Sequence, residues 1–187
     1  ITIGDWSSDV CSSDLEYAML YNLTGILSSE EKVEKLTVPY EHETVSNGLD
    51  SYKILEKSDL TLTLANKAKG EAEAEGEISL VCEIPCDRCL KPVKVSFSLK
   101  ISEYLKESDF EDPEKMEEMP FIEGFSLDTD ALINNEIIVN WPMKVLCKPD
   151  CRGICKVCGK NLNEGDCGCD TFVPDPRMAV IKDIFNA

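Results

Sequence analysis

A chain of 187 residues, 43% of them hydrophobic, is long enough for one sizeable core, or for one domain with a small module beside it. Its 36 acidic against 19 basic residues give a formal charge of −17. That sign argues against general binding to nucleic acid, which needs phosphates neutralised, and favours basic partners. No apolar run approaches the roughly 18–20 residues that span a bilayer, and the first residues lack the charged and apolar regions of a secretory signal. We therefore expect a cytoplasmic protein with no membrane partner, in which ten cysteines signal metal ligands before disulfides.

The segment Asp5 to Leu15, DWSSDVCSSDL, has no hydrophobic period and fits no element signal. It resembles the conceptual translation of a common sequencing-adapter oligonucleotide, so residues 1–18 read as a non-native leader, with Met19 as the natural start. Cys11 falls inside it. Ser28 and Glu31 stand at capping-box spacing and suggest a helical turn. Leu36 to Tyr40 reads as a short edge strand, and Asn47-Gly48 marks a turn within the polar stretch 41–58.

From Leu60 the pattern sharpens. Leu60, Leu62 and Leu64 alternate with threonines. Ala72, Ala74, Gly76, Ile78, Leu80, Cys82 and Ile84 share one face, opposite Glu71, Glu73, Glu75, Glu77 and Glu83. Val93, Val95, Phe97, Leu99 and Ile101 make a third run. Period-2 alternation over this length predicts a half-buried antiparallel meander, with the glutamates on its solvated face. Residues 107–125 are acidic and irregular and read as a mobile loop. Asp128 or Asp130 is positioned to cap a helix through Leu132, Ile133, Ile137 and Ile138, which Trp141-Pro142 ends. Asp175-Pro176-Arg177 predicts a last helix carrying Met178, Ile181, Ile184 and Phe185.

The tail between these helices holds six cysteines in 23 residues: Cys147, Cys151, Cys155, Cys158, Cys167 and Cys169. Zinc asks for four soft ligands in a tetrahedron. Cys155 and Cys158 supply two from one tight knuckle, where Gly159 lets the backbone turn, and Cys167 and Cys169 supply two more after the NLNEGD turn. These four are the first choice, with Cys151 able to displace one of them. Cys86-Asp87-Arg88-Cys89 lies between two strand runs, at a hairpin tip. It reads as a redox dithiol, as a plain turn, or as half of a second zinc site completed by the leftover Cys147 and Cys151. Cys82 reads as core. His42 is the sole histidine and has no nucleophile beside it, so catalysis has little to stand on.

Ile84 to Pro92, IPCDRCLKP, and the tail from Trp141 to Phe185, including WPMKVLCKPDCRGICKVCGKNLNEGDCGC and DPRMAVIKDIF, resemble the YceD-type proteins, the family called large ribosomal RNA subunit accumulation protein. The motif around Cys86 and Cys89 is that family's general one; the cysteine-rich tail is similar to the version in one branch. The resemblance implies support for accumulation of large-subunit ribosomal RNA, with no catalytic activity. It implies as partner a ribosomal protein or a specific large-subunit RNA segment, and no small-molecule substrate. The alternative from another class is a thiol oxidoreductase or redox sensor using Cys86 and Cys89.

The expected architecture is α+β: an antiparallel β meander with a few helices over 19–140, then a zinc-binding tail with a C-terminal helix over 141–187. A chain beginning at Met19 is expected to melt at the same temperature as the full 187 residues. Thermal denaturation of both checks this, and a loss of several degrees on removing residues 1–18 would show that the leader packs.

Overall fold

The computed structural model describes residues 20–170. Its chain runs through β1 (Leu20–Asn22), α1 (Thr24–Leu27), β2 (Val33–Val38), β3 (Thr44–Ser46), β4 (Ser51–Lys57), β5 (Leu60–Ala68), β6 (Glu71–Pro85) and β7 (Pro92–Lys106). A 3-10 turn at Glu107–Glu111 follows, then α2 (Pro113–Glu118), β8 (Ile122–Glu123), β9 (Ser126–Asp128) and α3 (Thr129–Val139). The protein is thus mostly antiparallel sheet with short helices. The expected C-terminal helix from Asp175 lies outside the described residues, as do the leader and Met19.

The chain folds as two compact units, each gathered from three stretches of sequence. Among the described residues the first comprises 20–40, 59–78 and 99–139; the second comprises 41–58, 79–98 and 140–170. The long strands β6 and β7, which pair with one another, each contribute to both.

In the first unit β2 pairs with β5 from Val33↔Ala65 to Val38↔Leu60, and β5 pairs with the first part of β6 from Thr61↔Glu77 to Ala68↔Glu71. The alternation does what its period demands. Leu60, Leu62, Leu64, Ala72, Ala74 and Ile78 are all buried, while Glu75 and Glu77 on the opposite face are exposed. Each buried leucine contributes about 1.5–3 kcal/mol relative to leaving it in water. Asn66 continues the buried face of β5. Its amide donates to the carbonyls of Ile26 and Ala68, both at 2.9 Å, so a polar group in the core is satisfied and α1 is tied to the sheet. A small second sheet, β1-β9-β8, stands in the same unit.

Two local readings change, and the turn expected at Asn47-Gly48 is found. The turn expected at Ser28 to Glu31 lies earlier, as α1, because Leu23, Ile26 and Leu27 are its buried anchors; Ser28 ends it, its hydroxyl donating to the Thr24 carbonyl. The acidic stretch 107–125 is ordered into the 3-10 turn, α2 and β8. Phe110, Phe121 and Ile122 are buried within it, and Asp112 caps α2 by accepting from the Glu114 amide. Its acidity masked a cap-and-proline start signal. Residues 41–58 form the hairpin β3–β4, with Asn47 Oδ1 accepting from the Leu49 and Asp50 amides and Gly48 at φ 86°. α3 starts as expected, Asp128 accepting from the amides of Asp130 and Ala131.

In the second unit β3 pairs with β4, and β4 with the last part of β6. Trp141 lies between Tyr52 and Phe97, with ring centroids 5.2 and 5.5 Å away, so the start of the tail is anchored on this sheet. Among the described residues no helix is long and apolar enough to cross a membrane.

Gly76 sits in β6 where a Cβ would fall 2.6 Å from the Thr61 carbonyl oxygen. Gly76→Ala is therefore expected to destabilise the protein by about 1–3 kcal/mol through forced backbone displacement. Urea denaturation measures it; an unchanged midpoint would mean that the strands separate there at no cost.

Candidate metal centre

The turn joining β6 to β7 is built by Cys86 to Lys91. The Cys86 amide donates to the Lys91 carbonyl at 2.9 Å, the Leu90 amide donates to the Cys86 carbonyl at 2.9 Å, and Leu90 takes a left-handed φ of 60°. The tail repeats this scaffold at Cys155 to Lys160. There the Cys155 amide donates to the Lys160 carbonyl and the Gly159 amide to the Cys155 carbonyl, each at 2.9 Å, with Gly159 at φ 72°. The two Cys-x-x-Cys turns are thus the same knuckle in different sequence. Leu90 accepts the strained conformation that Gly159 adopts freely.

Each knuckle is completed by a second pair. Cys86, Cys89, Cys147 and Cys151 form one group, and Cys155, Cys158, Cys167 and Cys169 the other; within each, all sulfur atoms lie within 4.8 Å of one another. In the first group Cys86 Sγ is 3.8 Å from Cys151 Sγ and Cys89 Sγ is 3.5 Å from Cys147 Sγ. Four sulfurs on a zinc ion at about 2.3 Å stand ~3.8 Å apart, so the donor type, number and spacing fit the metal. Cys86, Cys89 and Cys151 are buried and Cys147 is half-buried. In the tail group only Cys155 is buried, and Cys158 is exposed.

The sulfurs are held from outside by hydrogen-bond donors. The Asn163 amide donates to Cys151 Sγ at 3.3 Å, and the Val157 N–H to Cys155 Sγ at 3.4 Å. Burial would raise the Cys86 thiol, yet amides of Cys147, Arg88 and Cys89 outweigh it and bring it down to about 6. Cys155 also falls to about 6, through the amides of Cys158 and Val157 and the Cys167 thiol. Cys151 is lowered too, burial being overcome by Asn163 and the Gly153 amide. Opposing this, burial and the neighbouring sulfurs push Cys147 up to about 12, and the thiols of Cys158 and Cys167 push Cys169 up to about 12. Each group thus favours some thiolates and resists the rest, because like charges at this spacing repel one another. Cys82 is the contrast: buried in β6, outside both groups, with its thiol raised by burial alone.

The sequence-derived set Cys155, Cys158, Cys167 and Cys169 comes together as one group. Cys151 stands with the hairpin cysteines rather than among these. Three neighbours carry the arrangement without having stood out in the sequence. Asp87 Oδ2 accepts from the Val145 amide at 2.7 Å, Arg88 Nη1 donates to the Cys151 carbonyl at 2.7 Å, and Asn163 is described above. The shared Cys-x-x-Cys-x-Lys wording of the two knuckles was the available signal.

Gly153 approaches Arg88 so closely that a Cβ would lie 2.9 Å from the Arg88 carbonyl oxygen, and its φ is +78°. Gly159 has a similar φ but open space around it. Gly159→Ala is expected to cost about 1–2 kcal/mol, from backbone strain alone. Gly153→Ala is expected to cost more and to raise hydrogen exchange at Ile154, whose amide donates to the Arg88 carbonyl at 3.0 Å. Equal costs for the two would show that the contact with Arg88 carries no weight.

No curated protein and no solved structure matches the chain. A family model described as "Large ribosomal RNA subunit accumulation protein YceD" matches residues 74–185, more than half of the sequence. That stretch includes every cysteine of the two groups. The hairpin knuckle and the cysteine-rich segment it faces both lie inside the matched stretch, and this chain belongs to the YceD family.

Proposed function

We propose that this protein is a non-catalytic accessory factor that supports accumulation of large-subunit ribosomal RNA and ribosome biogenesis in the bacterial cytoplasm. It works by contact with a ribosomal protein or a defined segment of that RNA. The observation that carries the reading is membership of a family whose description is large ribosomal RNA subunit accumulation. Cys155, Cys158, Cys167 and Cys169 hold a structural zinc ion, and the metal's contribution is to fix the fold of the tail. Four protein ligands leave no open position for a reacting water.

Charge supports a selective contact. Among the described residues the first unit carries 20 acidic and 7 basic residues; the second carries 10 of each. A zinc ion bound by four thiolates adds about −2 to the second unit, because four negative charges meet a +2 ion. Neither unit is then a general polyanion binder. The cations of the cysteine-rich segment are also partly engaged: Arg152 pairs with Asp166, and Lys148 lies 3.7 Å from Asp150. A basic ribosomal protein suits the glutamate face of β6, and a defined RNA segment suits the lysines beside the knuckles, Lys144, Lys156 and Lys160. The thiol-oxidoreductase reading draws no support from the family, and Cys86 and Cys89 lie in the turn between β6 and β7 rather than at the start of a described helix.

Affinity purification of the tagged protein from cells, with RNA and protein both identified, is expected to recover a large-subunit protein or one defined RNA segment. Titration against random RNA at two salt concentrations is expected to show weak binding. Sub-micromolar affinity for random RNA that falls steeply with salt would overturn the selective-contact reading. Cys158→Ser is expected to lower zinc content and loosen the tail while leaving the sheet intact, read by metal analysis together with circular dichroism.

A further inference from the structure

We propose that Cys86, Cys89, Cys147 and Cys151 are a second zinc site, which clamps the β6–β7 hairpin to the segment 145–154. It is separate from the tail site and does not depend on the ribosomal reading.

The two cysteine pairs are 58 residues apart along the chain at their closest sulfur contact, Cys89 to Cys147. Nothing in local sequence brings them together. Their meeting is specified by contacts on both sides of the sulfurs. The Asp87 amide donates to the Val145 carbonyl at 2.9 Å, while the Val145 amide donates to Asp87 Oδ2 at 2.7 Å. Arg88 Nη1 donates to the Cys151 carbonyl at 2.7 Å, and the Arg88 carbonyl accepts from the Ile154 amide at 3.0 Å. Gly153 has no Cβ where one would strike Arg88. Two short chain segments are thus locked in register, with four sulfurs at the centre and Val93 and Leu146 packed around them.

Ordinary core packing accounts for a buried cysteine such as Cys82. It does not account for four sulfurs converging on one point, within 4.8 Å of one another, from a knuckle whose backbone hydrogen bonds duplicate those of the tail knuckle. The donor set is all sulfur, with 3.5 and 3.8 Å edges close to those of a tetrahedral zinc site and no carboxylate or imidazole in the group. The burial of this group, against the exposure of Cys158, orders the two sites. The clamp site is sheltered from chelators, and the tail site is open to them.

The test is metal stoichiometry on the full chain, purified without chelator. Two equivalents of zinc are expected. The pair substitution Cys86→Ser with Cys89→Ser is expected to lower this to one and to speed hydrogen exchange at Asp87 and Ile154. Cys158→Ser with Cys169→Ser is expected to lower it to one without that exchange, and Cys82→Ala to leave two. With a chromophoric chelator, release from the native chain is expected in two phases of about equal amplitude. The slow phase should be absent when Cys86 and Cys89 are replaced. If the hairpin variant fails to fold, cobalt replacement in the native chain decides: thiolate-to-cobalt absorption equivalent to eight bonds supports two sites. One equivalent of zinc in the native chain, unchanged by replacing Cys86 and Cys89, or cobalt absorption equivalent to only four bonds, would overturn the proposal.

Discussion

The convergence of Cys86 and Cys89 with Cys147 and Cys151 is the constraint from which the second unit takes its form. The strands of that unit end at the knuckle, and the cysteine-rich segment has little regular structure of its own. Beyond Val139 only an isolated bridge, Ile154 to Asn161, interrupts the turns among the described residues. A segment with so few ladder hydrogen bonds and so many polar residues cannot hold one conformation by apolar burial. Its order comes from attachment at fixed points: Trp141 between two rings, Val145 on Asp87, Cys151 and Ile154 on Arg88, and then the second knuckle, whose bridge to Asn161 positions the loop leading to Cys167. Each attachment depends on the hairpin tip being presented by two long strands. The sheet therefore serves the cysteine module as a rigid arm, and the module in turn covers the tip's backbone polar groups.

The sheet was legible in the sequence because its signal is periodic and long. In β5, β6 and β7 nearly one residue in two is apolar along the strand, and the structure buries most of that set, with Val93 and Val95 half-buried. The pairing of knuckle with tail was legible only as a remainder, the cysteines left after a first foursome was chosen. No local rule carries residues 58 apart into contact; that is fixed by where β6 and β7 end and by Asp87 and Arg88, which look like ordinary surface charges in sequence. The stretch 107–125 was misleading for a related reason. Its acidic composition obeys the rule for a solvated loop, but three apolar anchors, Phe110, Phe121 and Ile122, are enough to order it.

The knuckle repeat separates what geometry requires from what residue type provides. Both turns need a left-handed residue after the second cysteine. The tail meets that need with Gly159, at no steric cost, in open surroundings. The hairpin meets it with Leu90, which is 65% exposed and so does not recover the strain by burial. The hairpin tolerates that strain because the two strands and the contacts of Asp87 and Arg88 overdetermine the turn. An isolated tail knuckle has no such support and uses glycine. The same reasoning explains why another glycine of the segment, Gly153, stands at the point of closest approach between tail and hairpin rather than in a turn with open space.

Charge follows the same division of labour. Among the described residues all of the excess acidity falls in the first unit, and the second is balanced before any metal is counted. An acidic unit repels polyanions and draws basic surfaces, whereas a balanced unit does neither by net charge. Neither unit draws polyanions strongly by net charge alone, so the selective contact proposed above rests on the shape and the local charges of the surfaces themselves.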